Sequence, residues 1–440
     1  MYPRLCRTFN RHCRDVSSSQ RRFLASTSQP NAVYLFHRHG DRAPSKSILC
    51  SDDDVGRASE SSFWLSRIVS PSSDTPSFTF DIANASFPVW KYAGLSSPSD
   101  LSSSRYTPVS SDHCTFTGDP SSHTGDFLDV HNMPYGYLTQ VGMEGMVGVG
   151  ETIRGIYGRD WDVKCYSTNY LRTVLSAQGV LTGFLGPLSP AEDPIKVVVR
   201  DQSQDILNAY DRDPELMRSL VIQAYNKTDF KEKDQVATEE IARPIKKHIG
   251  GVDGGVKGGD IEGRVDWIHL ADHFVCRGRH GLGFTTMEGK DDQADEVKEV
   301  EKEMEEYGNI VKEHLVWRFG KWFGEKELLS QVGGPMIREV VEHAGKGGER
   351  LAGEGGEGAK KFNVYSCHDV SLLGILYGLK ADVVERDKMY WPDYGSWISF
   401  EVWDDGIKIR LNGEGVKIEG GDENGRVGWE EWEEIGRKNN

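Results

Sequence analysis

No apolar run in the sequence approaches the roughly 20 residues that a membrane-spanning helix requires, and the mean hydropathy of -0.52 argues the same way against a helical membrane protein. No Cys-x-x-Cys pair occurs. Of seven cysteines, Cys6 and Cys13 fall in the first thirty residues. The other five, Cys50, Cys114, Cys165, Cys276 and Cys367, are odd in number and far apart, so neither a disulfide framework nor a zinc site is signalled. They read as small buried apolar residues in a reducing compartment. No repeat of solenoid length is present. The glycine-rich stretch 250–263 lacks the following Lys-Ser/Thr or the GxGxxG context of a nucleotide loop. His113, His123, His131, His273 and His280 have no metal-ligand spacing and read as surface or hydrogen-bonding residues.

Acids are almost missing from the first thirty residues, where Asp15 stands against Arg4, Arg7, Arg11, Arg14, Arg21 and Arg22. This Arg- and Ser-rich stretch has no apolar core of a secretory signal. It reads as an organelle transit peptide with a processing region near Arg22-Phe23-Leu24-Ala25-Ser26. Arginines recurring every three to four residues suit an amphipathic helix, which favours a mitochondrial over a plastid address. Taking its +5 from the overall -16 leaves -21 on the rest of the chain. Such an anionic body repels a phosphate backbone, so nucleic acid is disfavoured as a partner. An anionic substrate must be gripped by a local arginine cluster, which works because long-range repulsion fades beyond about 8 Å at physiological salt.

What is present is ordinary globular usage, 37% hydrophobic and 27% charged, which excludes collagen-like, wholly disordered and disulfide-stapled classes. At 440 residues the chain exceeds the roughly 250–300 at which one core stops growing, so an inserted cap or a second domain is expected. Residues 31–36 (NAVYLF) read as a buried strand. Residues 51–122 are rich in Ser, Pro and Asp and read as long loops with a short helix such as Glu60–Val69. Apolar spacing predicts a helix over Tyr137–Arg159 capped by Thr139, then a strand at Val163–Ser167 and a helix at Leu171–Leu185. A strand at Ile195–Val199 and a helix at Pro214–Tyr225 follow.

The longest helix is expected over Asp291–Phe323, with Val297, Val300, Met304, Tyr307, Val311 and Leu315 on one face and Glu299, Glu301, Glu303, Glu305 and Glu306 on a solvated one. Residues 345–361 read as a linker, Phe362–Ser366 as a strand, and Ile398–Trp403 with Ile407–Leu411 as a hairpin. Strands alternating with helices imply an α/β sheet.

Chemistry concentrates in Arg38-His39-Gly40-Asp41-Arg42-Ala43-Pro44, directly after the first strand. It supplies an imidazole nucleophile, two fork-shaped cations suited to phosphate oxygens, and a glycine that lets backbone approach a ligand. An accidental match of R-H-G-x-R-x-P has odds of about one in ten thousand. Tyr166 to Thr173 (YSTNYLRT) places Arg172 just past another strand, and Tyr365-Ser366-Cys367-His368-Asp369 places His-Asp after a third. Gly136-Tyr137-Leu138-Thr139-Gln140-Val141-Gly142 opens the helix before the Arg172 segment. Ligand groups in open α/β sheets gather at the carboxyl ends of strands, so 38–42, 172 and 368–369 are expected to share one crevice.

These motifs, in this order from Ala32 to about Trp403, resemble the histidine acid phosphatases, the two-domain branch of the histidine phosphatases. The Ser-Thr-Asn-x-x-Arg-Thr variant, Asp272, Phe274 and Cys276, and Trp391-Pro392 are most similar to lysophosphatidic acid phosphatases, some of which are mitochondrial. The resemblance implies a phosphoglycerate mutase-like α/β fold: a mixed, mostly parallel sheet with helices on both faces and a mainly helical cap formed by insertions. Residues 31–50, 135–200 and 330–440 would form the core, with 51–134 and 201–329 as cap insertions. It also implies His39 as the phosphohistidine nucleophile, Arg38, Arg42, Arg172 and His368 as phosphoryl ligands, and Asp369 as acid and then base, with no metal or cofactor. Asn169 replaces the family's usual acid, His37 precedes the motif where an apolar residue is common, and Cys367 stands where a small residue is usual. His37 reads as a core or edge histidine, with a second ligand the alternative, and Cys367 as packing, with redox inhibition the alternative.

The expected substrate is a small phosphate monoester: lysophosphatidic acid, cleaved to monoacylglycerol and phosphate. The alternatives are inositol phosphates or other soluble esters, or a non-catalytic phosphate-binding relative, against which His39 and Asp369 both stand. An apolar channel for a lipid would draw on Trp64, Trp90, Tyr135 and Trp391. Phosphoryl transfer needs positioning and charge more than covalent ingenuity, and neutral imidazole can attack while Asp369 must carry a proton to the leaving alkoxide.

Overall fold

Apolar alternation in the strands decides the architecture. In β1 (Ala32–Arg38) all seven residues are buried, with Tyr34 and Phe36 entering one core and Val33 and Leu35 the other. A strand covered on both faces belongs in the middle of a sheet. The computed structural model describes residues 29–48, 54–69, 82–83, 134–186, 197–200, 202–249, 265–285, 295–344, 360–386 and 390–439. The transit-peptide segment, Trp90, most of 51–134 and the glycine-rich 250–263 lie outside them. Residues 31–440 cluster as one unit.

The other strands are β2 (Ile82–Ala83), β3 (Asp162–Ser167), β4 (Val197–Val199), β5 (Lys361–Cys367), β6 (Trp397–Trp403), β7 (Gly406–Leu411), β8 (Glu414–Gly415) and β9 (Arg426–Val427). They run in the order β2-β4-β3-β5-β1-β6-β7-β8, with β9 also on β7. Pairing from β2 to β1 is parallel, and β6 joins β1 antiparallel before the β6–β7 hairpin. Register matters for the site. Arg38 pairs with Cys367 and Ser167 with Ser366, so the carboxyl ends of β1, β3 and β5 finish side by side. Rings stack across them on one face, Tyr166 on Tyr365 at 5.0 Å and Tyr365 on Phe36 at 4.4 Å.

The helices used below are α1 (Asp54–Leu65), α2 (Gln140–Tyr157), α3 (Leu171–Leu185), α4 (Pro214–Tyr225), α5 (Trp267–Arg279), α6 (Asp295–Phe323) and α7 (Asp369–Gly378). Caps set several starts: Thr139 accepts from Gly142 N, Asp213 from Leu216 N with Pro214 behind it, and Asp266 from His269 N. Helices α2 and α3 touch through glycines. A Cβ at Gly150 would fall 2.0 Å from the Val180 carbonyl oxygen, and one at Gly183 2.0 Å from that of Val147.

Three expectations need correction. The helix foreseen at Glu60–Val69 is Asp54–Leu65; beyond it Ile68 bridges Thr139 and Val69 N donates to the Leu138 carbonyl. Glu301 is buried, not solvated: it accepts from the backbone N–H groups of Phe284 and Thr285 and from Thr285 Oγ1. Trp64 is a fully buried core residue beside Tyr137 and Leu171, so it walls no channel. His37 is buried as expected, and burial lowers its pKa to about 4.

Candidate active site

His39 emerges where β1 ends. Its N–H donates to the Cys367 carbonyl at 3.1 Å and its carbonyl accepts from Gly395 N at 3.2 Å, which fixes the backbone between two strand ends. Only glycine fits next, since a Cβ at Gly40 would lie 2.6 Å from the Gly142 carbonyl oxygen. The His39 Nδ1 lies 2.8 Å from the Gly40 carbonyl oxygen. That oxygen can only accept, so Nδ1 carries the hydrogen and Nε2 keeps its lone pair. Burial, then the charges of Arg172, Arg38, Arg42 and His368, push the imidazole pKa well below its usual value. The shift favours the neutral form of the ring.

Three guanidinium groups from two strand ends surround it. Arg38 donates to the Pro392 carbonyl at 2.6 Å, pairs with Asp369 at 2.8 Å and lies 4.2 Å over the Tyr394 ring. Arg42 grips Asp272 with both terminal nitrogens, each at 2.9 Å. Arg172 lies 4.2 Å over the Tyr170 ring, and burial followed by Arg42's charge lowers its pKa to about 10, still cationic. Among the described residues the Nε atoms of Arg38, Arg42 and Arg172 are buried without a hydrogen-bond partner. Three unsatisfied cationic donors around one imidazole are what an anion with several oxygens would satisfy.

His368 and Asp369 follow β5. The two imidazoles face edge-on, with ring centres 5.5 Å apart, and Thr168 Oγ1 lies 3.2 Å from His368 Nε2. Burial, then Arg172, Arg42 and Arg38, holds His368 well below its usual pKa. A proton on His368 would have to accompany a bound anion whose charge opposes the arginines. Asp369, one-fifth exposed, accepts from Val370 N at 2.8 Å and points its other oxygen at Arg38. All six predicted site residues, Arg38, His39, Arg42, Arg172, His368 and Asp369, are brought together through these contacts and the mutual charge effects on the two imidazoles.

Residues 31–418 match the histidine phosphatase superfamily (branch 2). The chain belongs to this family. It is accordingly a phosphomonoester hydrolase of the acid phosphatase kind, with the family's mixed, mostly parallel sheet. No curated protein matches the sequence. Among solved structures, the apo phytase of Hafnia alvei is similar at 11% identity and TM-score 0.48, over 93% of this chain and 97% of that one. The multiple inositol polyphosphate phosphatase of Bifidobacterium longum, in complex with inositol hexasulfate, is similar at 11% identity and TM-score 0.44, over 88% and 87%.

Sequence reasoning missed several residues of this phosphatase's pocket. Asp272 was noted only as part of a resemblance, yet it orients Arg42 and also accepts from Ser45 N at 2.6 Å. Arg42 and Ser45 hold its carboxyl below the usual range against the opposing effect of burial. Tyr394 closes one side, 5.7 Å from the His39 ring. Asp41, inside the motif, ties it outward: Thr139 Oγ1 at 2.5 Å, His280 Nε2 at 2.7 Å and Arg279 Nε at 3.3 Å meet its carboxylate. Its position between His39 and Arg42 was the one available signal. Asn169 makes no contact with the arginines in any of these bonds. Cys367 is buried, its Sγ donating to the His37 carbonyl at 3.3 Å, and burial raises its pKa, which fits packing rather than redox reactivity.

Proposed function

We propose that the phosphatase works through a phosphohistidine at His39, and the observation that carries this is the trio of unpartnered guanidinium Nε atoms around a neutral imidazole. The His39 Nε2 lone pair attacks phosphorus while the ester P–O bond breaks. Arg38, Arg42, Arg172 and His368 bind the equatorial oxygens, where charge accumulates in a loose transition state. Asp369 gives its proton to the departing alkoxide, and its carboxylate then takes one from the water that cleaves the N–P bond. Inorganic phosphate leaves and His39 is regenerated. The described residues between 202 and 329 are helical apart from short connections and supply Asp272 and Arg279 to this pocket, consistent with 201–329 serving as a cap insertion.

Lysophosphatidate is the substrate favoured by the subgroup resemblance, and the segments that carry it touch the arginines: Asp272 holds Arg42 and the Pro392 carbonyl holds Arg38. The second reading, a soluble and multiply charged ester such as an inositol phosphate, is favoured by the rim. Trp64 is withdrawn into the core, while Arg279, half exposed, lies 5.6 Å over the same Tyr394 ring that borders His39. Phosphate release from lysophosphatidate, inositol hexakisphosphate and an aryl phosphate, wild type against His39→Ala, tests both. A preference for lysophosphatidate supports the first reading and a preference for the hexakisphosphate the second. Equal rates for the two proteins end the covalent mechanism. The Arg-rich first thirty residues support a mitochondrial address, and a fluorescent protein fused behind residues 1–40 should enter mitochondria; retention in the cytosol or entry into plastids would contradict it.

A further inference from the structure

Arg38 and Arg42 each face a carboxylate, Asp369 and Asp272 respectively. Among the described ion pairs Arg172 has none, although burial has already lowered its pKa. Asp272 and Asp369 act on it only through longer-range charge, and an aromatic ring lies against it: its guanidinium carbon is 4.2 Å from the centre of Tyr170. The same ring meets His368 edge-on, with centres 5.2 Å apart and planes at 88°. The Tyr170 hydroxyl leaves the pocket and donates to Asp211 Oδ2 at 2.7 Å. That carboxylate oxygen also accepts from Asn208 Nδ2 at 2.8 Å, and the Asp211 carbonyl accepts from Gln202 Nε2 at 2.6 Å. Next along, Arg212 donates to the Gln331 carbonyl at 2.8 Å. One ring, anchored at its far end in a braced turn, thus touches two phosphoryl ligands that come from different strands.

We propose that Tyr170 is a positioning residue of the phosphoryl site, its π face holding the Arg172 guanidinium and its ring packing perpendicular to His368 while Asp211 fixes it. A carboxylate in its place would neutralise Arg172 and compete with the phosphoryl oxygens for the same N–H groups. An aromatic face attracts the cation through its quadrupole but accepts none of its in-plane hydrogen bonds, so the fork stays open toward an anion. Freezing a long guanidinium side chain before the ester arrives also removes an entropic cost from binding. Tyr170 touches neither His39 nor Asp369 in these contacts, so its effect falls on anion affinity rather than on proton transfer.

This assignment rests on the phosphohistidine reading, and the experiment separates the two. Tyr170→Phe keeps the ring and loses the Asp211 bond; Tyr170→Leu keeps apolar bulk and loses the π face. Inhibition by inorganic phosphate, KM and kcat are measured for both on an aryl phosphate, with thermal unfolding as a control on the fold and His39→Ala run alongside. Tyr170→Leu should weaken phosphate inhibition and raise KM by about tenfold or more with the acid limb of the pH profile unmoved, and Tyr170→Phe should stay within about threefold of wild type. Should Tyr170→Leu fail to fold, Tyr170→Met carries the same expectation. A folded Leu or Met variant with wild-type phosphate inhibition and KM overturns the proposal, as does a Phe variant as impaired as the Leu one. An active His39→Ala would instead remove the reading beneath it. An inactive His39→Ala beside an unimpaired Leu variant removes only the role of Tyr170.

Discussion

Asp369 is the residue proposed to move a proton in both halves of the reaction. It sits at the amino end of α7, 2.8 Å from Arg38 and one-fifth exposed, which suits the acid role proposed for it. Asp369→Asn should lower kcat on an alkyl phosphate by about a hundredfold or more, and far less on a nitrophenyl phosphate whose leaving group needs no proton. Equal losses on the two esters would deny it the acid role. With a general acid required, turnover on alkyl esters should be faster in mildly acidic buffer than above about pH 8, and a flat or rising profile would be inconsistent with this step. Asp272 acts differently. Asp272→Asn leaves Arg42 as a buried cation without its counter-charge and should lower stability by about 3 kcal/mol in urea unfolding, with weaker phosphate inhibition. A loss near zero would mean that solvent already satisfies Arg42.

At the scale of elements, the site depends on how closely α2 approaches the motif. A Cβ at Gly142 would lie 2.1 Å from the Asp41 carbonyl oxygen, and Asp41 stands between His39 and Arg42. Gly142→Ala must push helix and motif apart; a shift near 1 Å should reduce kcat/KM by about a hundredfold. Unchanged kinetics would show that the contact is slack. The elements themselves were readable because each carries a local signal. Helices α3 and α4 were predicted at their observed bounds, and β1 and β5 from β-branched and aromatic runs closing on charged motifs. Glu301 was misread because four neighbouring glutamates suggested water. Yet 301, 304, 308, 311 and 315 share one helical face, and every one of them is buried. Asp272, Tyr394 and Tyr170 could not be assigned roles from sequence. Their partners lie two or more elements away or, for Tyr170, in a ring orientation that spacing does not encode.

For the whole molecule, buried imidazoles make folding sensitive to acid. His37, His39, His273 and His368 all have pKa values lowered by burial, to about 4 for His37 and about 3 for His273. Unfolded, each takes up a proton below about pH 6.5; folded, it does not. Their contribution is therefore complete above that pH and lost as pH falls toward the depressed values. Asp205, raised to about 7 by burial, works in the opposite direction and offsets one of them. Between pH 6.5 and 5.5 the net loss should be on the order of 3 kcal/mol, measurable as a falling urea midpoint, and bound phosphate should reduce it by charging His368. A midpoint constant over that range would contradict the neutral assignments.

Above all, the charges of arginines from two strand ends converge on the imidazole of His39, the residue proposed to carry the phosphoryl group. Rapid acid-free quenching during turnover of a phosphorus-labelled ester, followed by peptide mass spectrometry, examines this directly. The expected result is one acid-labile, base-stable phosphoryl group per chain on His39, absent from His39→Ala. Label on any other residue, or an active enzyme that never carries label, would contradict it.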